Sequence, residues 1–323
     1  MWNNGGYRKL LVYLGNSSGS FNEAVNLTST RIHNSYLYPY KPMVMDVNND
    51  GCDDFVIVFK NSSGKIGILV YNGTSSSPYI LDATTNALTG NFDYFDDSKI
   101  YSGDFNGDNY QDILIPTYDS NEKRNITIFT GTSNSTFNEG QLLVSVRNHK
   151  PYEFPYYYQV GDYNGDGYTD FLNTYSDNGI RKFMIYKGKS LAPYINDSPY
   201  DQSTTNFNYS PNDYIFSGDV SGNGYDDVIV HYVNSSGKRC FRVYKGNSIN
   251  AFYNNTNTTT TNIHNELTYP CSIYSSDIDN DGKCDIIVKW KDNNYNRFYV
   301  YKGKSDSTFT SAYSTTTTTN FYN

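Results

Sequence analysis

The sequence predicts an all-β protein built from repeats of four antiparallel strands. Three observations carry that prediction. A nine-residue acidic loop recurs five times, a strand closing in aromatic-x-Gly recurs six times, and short apolar runs alternate with turns without helical periodicity. A strand-and-turn repeat of 57–58 residues is the mark of a stacked or radial β architecture.

The loops read Asp46-Val-Asn48-Asn-Asp50-Gly-Cys52-Asp-Asp54, Asp104-Phe-Asn106-Gly-Asp108-Asn-Tyr110-Gln-Asp112, Asp162-Tyr-Asn164-Gly-Asp166-Gly-Tyr168-Thr-Asp170, Asp219-Val-Ser221-Gly-Asn223-Gly-Tyr225-Asp-Asp227 and Asp277-Ile-Asp279-Asn-Asp281-Gly-Lys283-Cys-Asp285. Oxygen-bearing side chains occupy positions 1, 3, 5 and 9 of each. A tight turn at position 6 must bring them together. Gly51, Gly167, Gly224 and Gly282 permit the positive φ this needs, and Asn109 tolerates it. Convergent oxygens, several of them carboxylate, suit a hard cation that takes six to eight oxygen ligands, so the sequence predicts up to five Ca²⁺ ions. The peptide carbonyls at position 7, from Cys52, Tyr110, Tyr168, Tyr225 and Lys283, are expected as further ligands. An EF-hand is excluded. Its bidentate Glu at position 12 is replaced by Ile57, Ile115, Asn173, Val230 and Val288, and strand-like residues follow instead of a helix.

Each unit reads as four strands. The first leads into the loop, as Lys41–Val47 does. The second leaves it, at Phe55–Phe59, Ile113–Ile115, Phe171–Leu172, Val228–Val230 and Ile286–Val288; these runs are continuously apolar and are expected to be buried on both faces. The third ends in the second repeated mark, at Tyr13-Leu-Gly15, Tyr71-Asn-Gly73, Phe129-Thr-Gly131, Tyr186-Lys-Gly188, Tyr244-Lys-Gly246 and Tyr301-Lys-Gly303. Its basic residues Lys65, Arg181, Arg239 and Arg297 are expected at solvent or a rim. The fourth is polar and irregular, as an outer strand should be. Four antiparallel strands per unit, arranged radially, make a β-propeller. The whole chain, 1–323, is expected to form one such domain, with a front half-repeat at 1–40 and full repeats near 41–98, 99–156, 157–213, 214–271 and 272–323.

The loop pattern at this spacing resembles the FG-GAP/VCBS-type calcium propellers, the family of the integrin α-subunit heads and of many secreted surface proteins. The resemblance covers nearly the whole chain. It implies one Ca²⁺ per blade, held by positions 1, 3, 5 and 9. The Phe-Gly and Gly-Ala-Pro segments that name the family are missing, and the number of units departs from its usual blade count. Ligand charge raises calcium affinity. The fourth loop, with carboxylates only at Asp219 and Asp227, is therefore expected to be the weakest site, and the fifth, with four carboxylates, the tightest.

The ends are out of phase. The chain opens on a third and fourth strand, Lys9–Gly15 and Phe21–Thr28, which makes five full units and a half. Upstream sequence completes the half-blade, or it caps the chain, or a neighbouring molecule completes it and joins subunits head to tail into a fibre. The Thr-rich stretches Thr256–Thr261 and Thr315–Thr319 read as loop, O-glycosylated tail or a strand lent to a neighbour.

Composition narrows the function. The net charge is −8, and five Ca²⁺ would bring it to about +2, so the acidity is ligand charge and not a sign of a basic partner. There is no Lys/Arg cluster for nucleic acid and no apolar stretch long enough to span a membrane. Residues 1–30 lack a signal-peptide core, and the sequence reads as a mature extracellular chain. Eleven N-glycosylation sequons point the same way, at Asn16, Asn26, Asn61, Asn72, Asn125, Asn134, Asn196, Asn208, Asn234, Asn254 and Asn257. Cys52, Cys240, Cys271 and Cys284 allow two disulfides or none, with Cys240–Cys271 placed to staple adjacent repeats.

No motif for catalysis appears. His33, His149 and His264 each precede a first loop Asp by 13 residues, with Asn91 and Asn206 at that place in the other repeats. The periodicity fits a structural turn between units, or a ring of sugar-binding pockets. His231 is expected as a satisfied packing contact, and Asp93, Asp96 and Asp97 as a solvated acidic turn. The 34 tyrosines suit sugar stacking and protein interfaces alike. The expected function is a non-catalytic extracellular module for adhesion or recognition, or a self-assembling structural subunit. Its partners are then a glycan, a protein ligand or copies of itself. A glycan-binding lectin and a calcium-dependent polysaccharide-active enzyme are the alternatives.

Overall fold

The computed structural model of the chain describes residues 2–4, 7–15, 21–33, 40–61, 63–76, 79–81, 92–93, 99–118, 124–138, 140–144, 157–196, 200–208, 213–248, 252, 256–264, 271–292, 295–310 and 313–318. The described elements are all strands, paired antiparallel in sheets of three and four. None of the described residues forms a helix long and apolar enough to cross a membrane.

Strands follow chain order within every sheet. β1 (Trp2–Asn4), β2 (Tyr7–Gly15) and β3 (Phe21–His33) form the first sheet. β4 (Tyr40–Met45), β5 (Asp54–Lys60) and β6 (Ile66–Tyr71) form the second. Four-stranded sheets follow: β7 (Tyr101–Gly103), β8 (Asp112–Tyr118), β9 (Arg124–Phe129) and β10 (Gln141–Val144), then β11 (Tyr157–Gly161), β12 (Asp170–Asp177), β13 (Ile180–Tyr186) and β14 (Tyr200–Asn208). The last two are β15 (Tyr214–Gly218), β16 (Asp227–Val233), β17 (Lys238–Tyr244) and β18 (Thr256–His264), then β19 (Cys271–Ser276), β20 (Asp285–Asp292), β21 (Tyr295–Tyr301) and β22 (Tyr313–Thr318). The framework divides into two compact units, Met1–Lys150 with Lys189–Asp197, and Pro151–Gly188 with Ser198–Asn323.

The second strand of each unit behaves as its composition requires. Val56, Ile57 and Val58 are buried, as are Ile113 to Ile115, Phe171 and Leu172, Val228 to Val230, and Ile286 with Val288. Both faces of these strands pack against apolar neighbours. In the first unit Val56 and Val58 join Ile68, Val70, Ile113 and Phe129 in one cluster, while Ile57 packs on Leu69 and Tyr71 on the other face. In the second unit Val228 and Val230 pack with Leu172, Phe183 and Ile185, and Ile229 with Phe241, Val243 and Ile286.

Several expectations are corrected. The front of the chain is not a two-strand half-blade: Trp2–Asn4 pairs with Tyr7–Lys9, so the first sheet has three strands. The second sheet has three among the described residues, and its expected fourth strand lies outside them. Thr256–Thr261 and Thr315–Thr318 are neither loop nor tail; they lie in the fourth strands β18 and β22, paired to β17 and β21, while Thr319 lies outside the described residues. Repeated threonine suits such an outer strand because β-branched side chains favour the pleat while the hydroxyl accepts exposure. Arg181 does not face solvent. It is wholly buried, and its Nη2 lies 2.6 Å from Asp213 Oδ2. Lys65 does reach an exposed partner, Asp93, at 2.7 Å; Asp96, Asp97 and the Arg297 side chain lie outside the described residues. Cys240 forms no disulfide, so the Cys240–Cys271 staple is absent; Cys52 and Cys284 are likewise unbridged.

Candidate metal centre

Each acidic loop folds on itself before any ion is considered. The first Asp turns both oxygens onto the loop's own amides: Asp50 N–H donates to Asp46 Oδ1 at 3.1 Å and Gly51 N–H to Oδ2 at 2.9 Å, and the other four loops repeat this. The position-5 side chain caps the amide of position 7 in the same way in all five. As the sequence predicts, position 6 is left-handed, with φ from 68° at Asn109 to 85° at Gly167. Position 4 is left-handed too, at Asn49, Gly107, Gly165, Gly222 and Asn280. Sequence reasoning missed this second turn, although Asn or Gly at that place in every loop was its signal.

Position 9 does more than the sequence suggests. Asp54, Asp112, Asp170, Asp227 and Asp285 are all completely buried. One oxygen accepts the N–H of loop position 2, at 2.9–3.3 Å. The other accepts the N–H of the Gly that closes strand three, at 2.8–3.0 Å. The two repeated sequence marks are therefore two halves of one clamp. The closing residue must be Gly because the loop backbone passes against it. A Cβ at Gly73 would lie 2.1 Å from the Asp53 carbonyl oxygen, and one at Gly246 2.3 Å from that of Asp226. Burial pushes these carboxyls up against the lowering effect of the amides, to about 7 at Asp112, about 8 at Asp170 and about 7 at Asp227. A divalent cation in the loop would draw them back toward the ionised form.

The donor set of the fifth loop fits a hard cation, and among the described residues it alone brings three carboxylates together; the Asp residues at positions 1, 5 and 9 of loops one to three do not converge as closely. In the fifth loop one oxygen each from Asp277, Asp279 and Asp285 lies within 4.8 Å of the others, close enough to share one ion. Accepting amides does not exhaust these oxygens, because a carboxylate offers about four lone-pair sites. Loops one to three place Asn at position 3, whose amide donates to the position-5 Asp at 2.9 Å. The fifth has Asp279 there, and Lys302 Nζ sits 2.6 Å from its Oδ2, while Lys283 Nζ sits 3.0 Å from Asp281 Oδ2. Two ammonium groups thus sit against carboxylates of the loop richest in charge.

Other singled-out residues fall as follows. His231 is buried on β16 between the Tyr214 and Phe241 rings, at centroid distances of 5.9 and 5.3 Å. Among the described residues neither ring nitrogen has a hydrogen-bond partner, so its contact there is apolar and not the satisfied one expected. The side chains of His33, His149, His264, Asn91 and Asn206 lie outside the described residues. Among the described sequons Asn134 and Asn196 are exposed, whereas Asn61, Asn72, Asn125 and Asn234 are half-buried. The Oδ1 atoms of Asn61 and Asn234 each accept two amides of the same Asn-Ser-Ser-Gly-Lys turn. Those of Asn16, Asn26, Asn208, Asn254 and Asn257 lie outside the described side chains.

Residues 46–115 and 104–173 each match the FG-GAP-like repeat family. No curated protein sequence matches the chain. Among solved structures, an Agrocybe aegerita lectin that specifically recognises non-reducing terminal N-acetylglucosamine is similar with a TM-score of 0.61 and 15% identity, over 96% of this chain and 80% of that one. The Photorhabdus luminescens Tc holotoxin pore has a TM-score of 0.51 at 15% identity, over 93% of this chain and 14% of that one. A Bacillus licheniformis rhamnogalacturonan lyase gives a TM-score of 0.40 at 11% identity, over 96% of this chain and 62% of that one.

Proposed function

We propose that this chain, an FG-GAP-like repeat protein, is a calcium-stabilised, non-catalytic β-propeller that recognises glycans outside the cell. The observation that carries this reading is the likeness of fold, along 96% of the chain, to a lectin for terminal N-acetylglucosamine. Positions 1, 3, 5 and 9 of the five loops would hold the ions, with the position-7 carbonyls. Bound Ca²⁺ supplies positive charge that neutralises several clustered carboxylates at once. The chain's own residues do the rest. Position 9 ties each loop to the end of strand three, and the left-handed residues at positions 4 and 6 turn the backbone back on itself.

Exposed aromatic rings support recognition of sugars. Tyr274 on β19 is 52% exposed and Tyr214 on β15 is 43% exposed, each with an apolar face for a pyranose ring and a hydroxyl for its rim. Asn134 and Asn196 would carry glycans of their own. The test is a glycan array with and without calcium. Binding of terminal N-acetylglucosamine or a related sugar, weakened by Tyr274→Ala, is expected; no binding to any glycan by folded, calcium-loaded protein refutes the reading.

A second reading, a self-assembling subunit, is favoured by one observation. β1 covers only Tyr7–Lys9 of β2, and no described strand pairs with that edge of β2 from Leu10 onward. An open edge is a template for a strand from another copy. Sedimentation in calcium separates the two readings: a monomer supports the first, and concentration-dependent polymers support the second.

A further inference from the structure

We infer that the third, fourth and fifth loops bind calcium cooperatively, because single peptide groups belong to two loops at once. The inference rests on the calcium reading proposed above. The peptide joining Tyr225 to Asp226 has two ends. Its carbonyl is the position-7 ligand of the fourth loop. Its N–H, on Asp226, donates to the Asp162 carbonyl oxygen at 2.9 Å, and Asp162 opens the third loop. The peptide joining Lys283 to Cys284 repeats the device one unit on: its carbonyl belongs to the fifth loop, and its N–H donates to the Asp219 carbonyl oxygen at 2.7 Å.

The contact is reinforced on every side. Asp162 N–H donates in return to Asp226 Oδ2 at 2.9 Å. The position-7 side chain lies over the position-4 glycine of the preceding loop: a Cβ on Gly165 would stand 2.4 Å from the Tyr225 ring, and one on Gly222 3.3 Å from Lys283 Cγ. The position-8 side chain fills the space before the preceding loop. A Cβ on Gly161 would meet Asp226 Oδ2 at 2.6 Å, and one on Gly218 would meet Cys284 Sγ at 2.4 Å. Beyond strand three, Asn247 N–H reaches the Tyr163 carbonyl at 3.1 Å. Each loop in this series is thus tied to the next by hydrogen bonds and close packing.

Coupling follows from amide chemistry. The C–N bond has partial double-bond character, so a cation at the carbonyl oxygen draws electron density across the amide and makes its N–H a stronger donor. An ion in the fourth loop thus firms the first residue of the third, and an ion in the fifth firms the first residue of the fourth. Linkage is reciprocal, so each neighbour helps the other by the same factor, typically about 5- to 150-fold. The fourth loop has the fewest carboxylates and sits in the middle of this series. It fills because both neighbours support it.

The test is a calorimetric calcium titration of the full chain against Asp277→Asn, which removes the first ligand of the fifth loop. A wild-type Hill slope above one is expected, and the variant should lose one step and show a second, remaining step weakened by about five-fold or more. Should Asp277→Asn not fold, Ser221→Asp, which adds a carboxylate to the fourth loop, should tighten a step besides its own. Independent steps, with the variant's isotherm equal to wild type less one site, overturn the inference while leaving calcium binding intact. Failure of folded wild-type protein to take up calcium overturns the calcium reading along with it.

Discussion

Asp170 shows how much one side chain can hold. It is buried, its oxygens accept the amides of Tyr163 and Gly188, and it is an expected ligand. Asp170→Ala should therefore lower stability by about 1–3 kcal/mol for each amide left unsatisfied, read from urea unfolding in calcium. Asp170→Asn, which keeps one acceptor, should lose less. The ligand role was legible because oxygens at a fixed spacing leave a side-chain pattern. The clamp was not, because its partners are backbone amides, and its one trace was the unexplained Gly at the end of strand three. His231 offers a second test. Burial, with Arg239 nearby, holds its imidazolium pKa down to about 3 from an ordinary 6.5. Above pH 6.5 the ring is neutral folded or unfolded, and between 6.5 and 3 only the unfolded chain takes up the proton. Its contribution is thus present at neutral pH and lost on acidification, by about 2 kcal/mol between pH 7 and pH 5. Comparing wild type with His231→Phe in saturating calcium isolates this: the difference should narrow or reverse toward pH 5.

At the scale of the element, strands two and three were the most legible, because continuous apolar runs between turn residues have few other uses. The strand Ile66–Tyr71 ends at the aromatic residue of the Tyr71-Asn-Gly73 mark, where the pattern places its close. Strand four was legible only as polar and outer. Thr256–His264 looks like low-complexity sequence until β17 is beside it, since pairing along a backbone needs no particular side chain. Arg181 defeated the reading for the opposite reason: a lone Arg at a strand edge gives no hint that Asp213, 32 residues on, will meet it in the interior. Removing one partner of a buried pair strands the other charge. Asp213→Ala should destabilise the protein by about 3–5 kcal/mol, whereas replacing both with apolar residues should cost far less. A double-mutant cycle in urea measures the difference.

For the whole molecule, calcium should set the stability. A ligand that binds only the folded chain adds about 2.7 kcal/mol per site at a hundredfold excess over Kd, so chelation should lower the melting temperature sharply, and an unchanged melt would remove the metal from the account. The sequence showed the repeat, its length and its sheets. It left open how the units meet, because the contacts between loops run through peptide groups that every residue shares. The clamp has one more consequence, for the order of events at synthesis. Each position-9 carboxylate reaches a glycine only 18 or 19 residues further along. Contacts so near in sequence form quickly. A ribosome need release little more than a hairpin beyond an acidic loop before that module can lock, leaving the threonine-rich outer strand to zip on afterwards.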